Sequence, residues 1–446
     1  MAYTEIRNVS FFSKLGNSFS GMGMGLVLFL AGTALLWWNE GDFVATRDAL
    51  NETQAQTQVV GDAKNLGSSF AGKVVHVNGF ADTKQVLTDP VFGISQTAIA
   101  LSREVEYYQW VEHSEEKTRK KLGGGEETVT TYHYEKEWVD EPVDSSAFHD
   151  PSARERKANT VLISVKDNEI VATDVTFGAY RLPEFFIRSI GGERGFDVKM
   201  SDEAVASMEK AIFAANPHFV SIKKKIADAA QAAVQSIDQT SAQVAASATP
   251  EQAAPAPEVQ ASPASEFVHQ QGSEVYVGRS PASPRIGDVR VTFKAVYPAD
   301  ISIIARFNGN TFEKVYTSNG KSVSRLSMGV VSAEHMYGKA HSSNSTWTWI
   351  LRVVGIFLVI GGLKSLVAPL SVIAGVIPLL GDIVGAGAGI VCTLLGLAWS
   401  LVLIAIAWLR FRPLLGAAML AAAVGLVALL YFKGRAGKKP APAPAE

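Results

Sequence analysis

The stretch GMGMGLVLFLAGTALLWW runs from Gly21 to Trp38 without a single charge. Its 18 residues, at about 1.5 Å each, reach roughly 27 Å, enough to cross a hydrocarbon core with little tilt. Trp37 and Trp38 stand where aromatic rings gather at a membrane–water boundary. A cleaved signal peptide would have a short basic start and a small-residue cleavage site. Here a twenty-residue leader carries Glu5, and the run ends in Trp-Trp-Asn-Glu, so it reads as an uncleaved anchor.

Working outward, the same poverty of charge returns near the other end. Of 84 charged residues in 446, only Arg352, Lys364, Asp382, Arg410 and Arg412 lie between Trp347 and Phe432. The chain-wide 19% charge, below the roughly 25% of an average soluble chain, is therefore the mean of two unlike parts. Three spans are expected: Trp349 to Leu370, Val384 to Trp408, and Leu414 to Phe432 after the breaker Arg410-Phe-Arg-Pro413. Ser371 to Asp382, broken by Pro378 and Gly381-Asp382, reads as a re-entrant or interfacial piece. Counting it as a fifth crossing would put the two termini on opposite sides. The fold class is thus an α+β membrane protein with four transmembrane helices, one N-terminal and three C-terminal. A β-rich extracytoplasmic domain sits between the first and second. The boundaries are a leader at 1–20, span one at 21–38, the domain at 39–345, the three-helix bundle at 346–432 and a basic tail at 433–446. Arg7 and Lys14 in the leader, with Lys433, Arg435, Lys438 and Lys439 in the tail, place both termini in the cytoplasm, against Arg410 and Arg412.

The polar region reads mainly as strands. Residues 40–60 continue as a polar helix. Gly72 to Gly79 alternates like a strand, and Arg103–His113 with Thr128–Val139 forms a hairpin. Its link, Ser114 to Glu127, holds eight charges and Gly123-Gly-Gly125, and reads as a flexible tip. Val161–Val165 and Asp288–Ala295 are further strand candidates. Ile301–Phe307 and Thr311–Tyr316, split by Asn308-Gly-Asn310, look like a second hairpin. Residues 201–246 are Ala-rich and suggest two helices, followed by a Pro/Ala linker at 247–265.

Chemistry is hard to find. The histidines are scattered, and no pair has zinc-ligand spacing with Cys or acid support, so no metal is expected. His113 and His133 face each other across the hairpin as exposed strand residues. No phosphate loop, dinucleotide fingerprint or nucleophile elbow is present, so neither a catalytic set nor a cofactor is expected. A net charge of −2 gives no case for nucleic acid. Cys392 lies in an apolar run and reads as a packing residue. Asp382 has no partner acid for an ion path. Two glycine series stand out at four-residue spacing: Gly21 with Gly25, and Gly381, Gly385 and Gly389. Such spacing lets helices approach closely in lipid, for packing within the bundle or for self-association.

Several stretches, in order, are similar to the LUMA family, also called transmembrane protein 43. They are Asn39-Glu-Gly41; Leu87–Gly93 (LTDPVFG); Tyr108-Gln-Trp-Val-Glu112; Tyr132–Trp138 (YHYEKEW); Asn159; Ile286–Val291 (IGDVRV); Ile304-Ala-Arg306; Ser343-Asn-Ser345; and Arg412-Pro413. The resemblance implies four spans, a large luminal or extracytoplasmic domain and cytosolic termini. It also implies a self-associating organiser of membrane protein complexes, without established catalytic residues. Eukaryotic members reside in the endoplasmic reticulum and inner nuclear membrane, linked to lamins and emerin. The Ala-rich insert exceeds what animal members carry, and its style suits a bacterial relative in an inner cell membrane. The expected partners are the bilayer, a second copy of the chain and other membrane or envelope proteins. The alternative is a ligand sensor or enzyme whose pocket is lined by His76, Arg103 and Glu106.

Overall fold

The computed structural model describes residues 3–121, 124–217, 265–374, 378–414, 416–418 and 421. In chain order the strands are β1 (Tyr3–Val9), β2 (Gln58–Asp62), β3 (Val74–Asp82), β4 (Val86–Thr88), β5 (Ser95–Thr97), β6 (Ala100–Lys120) and β7 (Glu126–Val139). These are followed by β8 (Asn168–Val171), β9 (Thr176–Phe177), β10 (Tyr180–Arg181), β11 (Arg194–Gly195), β12 (Val268–Gln271) and β13 (Glu274–Val277). The last are β14 (Val289–Val296), β15 (Ala299–Phe307), β16 (Phe312–Glu313) and β17 (Arg325–Met328). The helices are α1 (Phe11–Gln56), α2 (Pro151–Arg156), α3 (Glu184–Ile187), α4 (Asp202–Ala215), α5 (Ala333–Ala374) and α6 (Pro378–Phe411). The chain divides into two compact units. The β unit holds Met1–Tyr3, Phe80–Ser114 and Tyr132–Asp300. The helical unit holds Thr4–Gly79, Glu115–Thr131 and Ile301–Glu446.

In the helical unit, three helices are long and apolar enough to cross a membrane: α1, α5 and the Gly385–Phe411 part of α6. Ser10 caps α1, its hydroxyl accepting from the Ser13 N–H at 3.2 Å. The helix runs on past Trp38 to Gln56, as the polar stretch after residue 40 led one to expect. α5 contains the expected second span and starts sixteen residues before it, at Ala333. Ser371–Asp382 is helical at both of its described ends. Ser371–Ala374 closes α5, and Pro378 opens α6, where its missing N–H costs nothing. The expected fourth span, Leu414 to Phe432, lies almost wholly outside the described residues, as do the second Ala-rich helix, the Pro/Ala linker and the tail.

The polar ends of α1 and α5 pack on a small sheet. Ala49, Leu50, Met336, Tyr337 and Ala340 from the helices meet Val74, Ile304, Val315 and Val323 in one buried cluster. β2 runs parallel to β3, β3 adjoins β15, and β15 pairs with β16 and β17. The β15–β16 hairpin turns at Asn308-Gly309-Asn310, as expected. Asn308 Oδ1 accepts from the Asn310 and Thr311 N–H groups at 3.0 and 2.9 Å, and Gly309 has φ +99°.

The β unit is built on the order β7-β6-β14-β13-β12, with β8 on β6 and β11 on β14. Alternation selects the core: Val105 and Tyr107 on β6 lie opposite Val291 and Val289 on β14, and all four are buried. Val161–Val165 is not a strand. It is held as an extended segment by single bonds, among them Leu162 N–H to Gly287 O at 2.9 Å.

The hairpin tip is shorter than its charge suggested. β6 and β7 continue through most of Ser114–Glu127, because Thr118 and Thr128 pair across it at 3.0 Å and Lys121 pairs with Glu127 at 2.7 Å. The tip, Glu115–Thr131, belongs to the helical unit, where β1 adds to β7. Lys121 Nζ donates to Asn8 Oδ1 at 2.6 Å, and Lys14 pairs with Glu126 at 2.5 Å.

Candidate functional site

Two regions concentrate the polar and close-packed residues, one in each unit. In the helical unit, α1 and α5 cross on small residues. A Cβ on Gly25 would lie 2.9 Å from Gly362 O, and one on Gly362 would lie 2.6 Å from Phe29 N. A Cβ on Gly32 would lie 2.9 Å from Gly355 O. Gly25 and Gly32 are seven apart on one helix, and Gly355 and Gly362 seven apart on the other. The antiparallel pair therefore meets at matched positions two turns apart, the period at which a packing seam stays in register.

Of the five glycines expected to mediate packing, Gly25 alone stands at this crossing. Among the described residues, Gly21 and Gly389 have nothing within 4 Å of an added Cβ, and Gly385 meets only Ser371, at 3.9 Å. The surroundings of Gly381 lie outside the described residues. Gly32, Gly355 and Gly362 are absent from the four-residue glycine series because this seam has a spacing of seven, and Gly396 belongs to neither series. Gly396 would meet Ile360 at 2.6 Å, joining α6 to α5. Cys392 is buried, its thiol 3.7 Å from Leu363 O, as a packing residue should be.

One turn beyond Trp37-Trp38 the three helices are tied by charge. Arg352 donates to both oxygens of Glu40, at 2.6 and 2.8 Å, and both residues are buried. Trp408 Nε1 adds a bond to Glu40 at 2.7 Å. Asn39 donates to Thr348 O at 3.1 Å, and Asn344 donates to Phe43 O at 3.1 Å. A Cβ on Gly41 would touch the Phe411 ring at 2.9 Å. The tripeptide Asn39-Glu40-Gly41 thus joins α1 to α5 and α6 residue by residue.

In the β unit the recurring motifs fold against one another. Arg103 Nη1 donates to Asp89 Oδ2 at 2.6 Å, and its other nitrogens donate to Lys166 O. Asp89 Oδ1 accepts from the Val91 and Phe92 N–H groups, shaping the Leu87–Gly93 loop around Gly93 at φ +65°. On one face of the hairpin, Glu112 accepts from Tyr134 OH at 2.6 Å and from the His149 N–H and Nδ1 at 2.7 Å each. Burial alone would raise the Glu112 carboxyl, but these bonds outweigh it and hold it below the usual carboxylate range. Burial, reinforced by Glu112, pushes the Tyr134 hydroxyl up to about 12. Asn159 clamps Trp110 from both sides, accepting its N–H at 2.8 Å and donating to its carbonyl at 2.9 Å. Lys157 lies over the Trp110 and Tyr134 rings. On the other face, His113 and His133 do lie opposite each other, rings stacked at 5.4 Å.

The residues proposed for a sensor pocket each have their own partner. His76 Nε2 donates to Val331 O at 2.8 Å, Arg103 is spent on Asp89 and Lys166, and Glu106 pairs with Arg290 at 2.7 Å.

Glu112, Tyr134, Asn159, Arg352 and Trp408 all lie in the part of the chain that matches a known family. The family model described as Transmembrane protein 43 matches residues 107–413. The chain belongs to the transmembrane protein 43 family. Transmembrane protein 43 of Homo sapiens is 26% identical over 439 residues, covering 96% of this chain and 93% of the human protein. That of Mus musculus is 26% identical over 430 residues, covering 94% and 90%. The homolog in Drosophila melanogaster is 25% identical over 406 residues, covering 89% and 90%. No solved structure matches. Membership and the three long apolar helices make the chain an integral membrane protein of the transmembrane protein 43 family.

Proposed function

We propose that the chain is a non-enzymatic membrane scaffold that self-associates and organises membrane protein complexes or maintains envelope structure. The observation that carries this reading is the division of labour among the glycines. Gly389 of α6 lines a cavity with Lys364, Ser371 and Cys392, and Gly25, Gly32, Gly355 and Gly362 are used up in fixing α1 to α5, whereas an added Cβ on Gly21 of α1 meets nothing within 4 Å among the described residues. Helix surface of that kind suits close approach by another helix in lipid. The Glu40–Arg352–Trp408 cluster supports the same reading, because it keeps the bundle as one body against which partners dock. Four spans, an extracytoplasmic placement for the bulk of the β-rich domain, and cytoplasmic termini complete the proposal, resting on the Lys/Arg bias of the leader and tail. The compartment is the inner cell membrane in a bacterial host, and the endoplasmic reticulum or inner nuclear membrane in a eukaryotic one. Other membrane or envelope proteins are the expected partners.

Mass measurement of the full chain in mild detergent and in nanodiscs tests the scaffold. Discrete oligomers are expected, reduced in Gly21→Leu. A strict monomer in both media would overturn the proposal.

A further inference from the structure

The exposed face of the hairpin carries donors that the Glu112 network does not use. Side chains alternate along a strand, so His133, Glu135 and Glu137 of β7 project to one side. His113 of β6 projects beside them. Its Nε2 is 2.7 Å from Glu137 Oε1, and its ring stacks on His133 at 5.4 Å with 23° between planes. A nitrogen of His113 and one oxygen from each of Glu135 and Glu137 lie within 4.8 Å of one another. Among the described residues, Glu135 has no hydrogen bond or ion pair. Its neighbour Lys136 points to the opposite face, over Trp110 at 4.9 Å.

An exposed His–Glu pair alone adds about 0–1 kcal/mol, which gives no reason for a second carboxylate and a second imidazole on the same few square ångströms. Ligands around one Zn²⁺ sit about 2.0–2.2 Å from the ion, so donors across a site are about 3–4 Å apart, a separation these half-exposed side chains reach by small rotations. We propose that His113, Glu135 and Glu137, with His133 as fourth donor, bind a divalent transition metal ion, Zn²⁺ above all. Imidazole with carboxylate is a donor set for zinc, whereas calcium and magnesium want oxygens throughout. Three of the donors stand at alternate positions of one strand, His133, Glu135 and Glu137, but His113 comes from the other strand, twenty or more residues before them, so the set has no short spacing motif of its own.

The test uses the full chain in detergent, purified with a tag free of histidine. Zn²⁺ binding is measured by calorimetry, and Co²⁺ binding by the visible absorption of the bound ion. One ion per chain is expected. His113→Ala and Glu137→Gln should each weaken binding by about tenfold or more. His149→Ala, on the opposite face with Glu112, should leave it unchanged. Melting without metal shows that each variant folds. Binding that is absent, or equal in the combined His113→Ala, Glu135→Gln, Glu137→Gln variant, would overturn the proposal and leave an exposed ion pair only.

Discussion

Arg352 shows how much a single partner decides. A guanidinium in an apolar helix costs several kcal/mol unless it is paired and hydrogen-bonded. Glu40 supplies both oxygens, and Trp408 satisfies one of them further. Arg352→Met should therefore cost about 3–5 kcal/mol by stranding the Glu40 carboxylate. The double variant Glu40→Gln, Arg352→Met should recover much of that loss, read as unfolding by denaturing detergent. A double variant no better than the single would show that the pair does not act as a unit. His76 illustrates the reverse case, a titratable group kept neutral. It is 1% exposed, its Nε2–H is given to Val331 O, and its Nδ1 is buried without a partner among the described residues. Burial holds its pKa below the ordinary value near 6.5. The unfolded chain therefore binds a proton there before the folded one does. Stability is full above about pH 6.5 and falls as pH drops below it. His76→Gln, which can still donate to Val331 O, should flatten melting temperature against pH between about 5 and 7. A wild-type profile already flat over that interval would contradict the assignment.

At the scale of elements, the long apolar stretches were the legible part. The anchor at Gly21–Trp38 and the spans near Trp349 and Val384 all fall inside α1, α5 and α6, because charge depletion over some twenty residues has few other outcomes. The two hairpins were legible for a similar reason, aromatic and β-branched alternation around Gly-rich or Asn-Gly turns. What escaped was every feature that pairs distant residues. Glu40 and Arg352 are 312 positions apart, and neither announces the other. The extended Val161–Val165 segment has strand composition but spends its bonds on side chains such as Tyr107, a tertiary matter. The glycine seam was visible only at seven-residue spacing, and it yields a sharp contrast. Gly362→Leu pushes a side chain into the backbone of α1, with Phe29 N 2.6 Å and Gly25 O 2.7 Å from the new Cβ. That overpacking should cost about 1–3 kcal/mol or more. Gly21→Leu meets nothing within 4 Å of its Cβ among the described residues and should leave the unfolding midpoint of the monomer unchanged. Equal destabilisation by both would remove the distinction between the inner seam and the outer surface.

The whole molecule raises the question of which side the hairpin tip occupies. A bilayer around Gly21–Trp38 puts Lys14 at one face and Asp42 at the other, about 40 Å apart along α1 at 1.5 Å per residue. Within the helical unit, Asp42 binds Lys321 at 2.5 Å, and Glu52 binds Ser318 at 2.6 Å. Glu126 of the hairpin tip instead binds Lys14, and Lys121 binds Asn8. The tip therefore keeps company with the leader, at the end of α1 opposite the loop around Lys321. There β1 covers one edge of β7. The arrangement is open to a direct check in native membranes. With Cys392→Ser as background, Asn8→Cys and Lys121→Cys should be joined by a short bis-maleimide, which spans the reach of the lysine side chain it replaces. Both thiols should also react with an impermeant maleimide from the same side. Labelling from opposite faces, with no cross-link, would detach the tip from the leader and return the entire hairpin to the extracytoplasmic side.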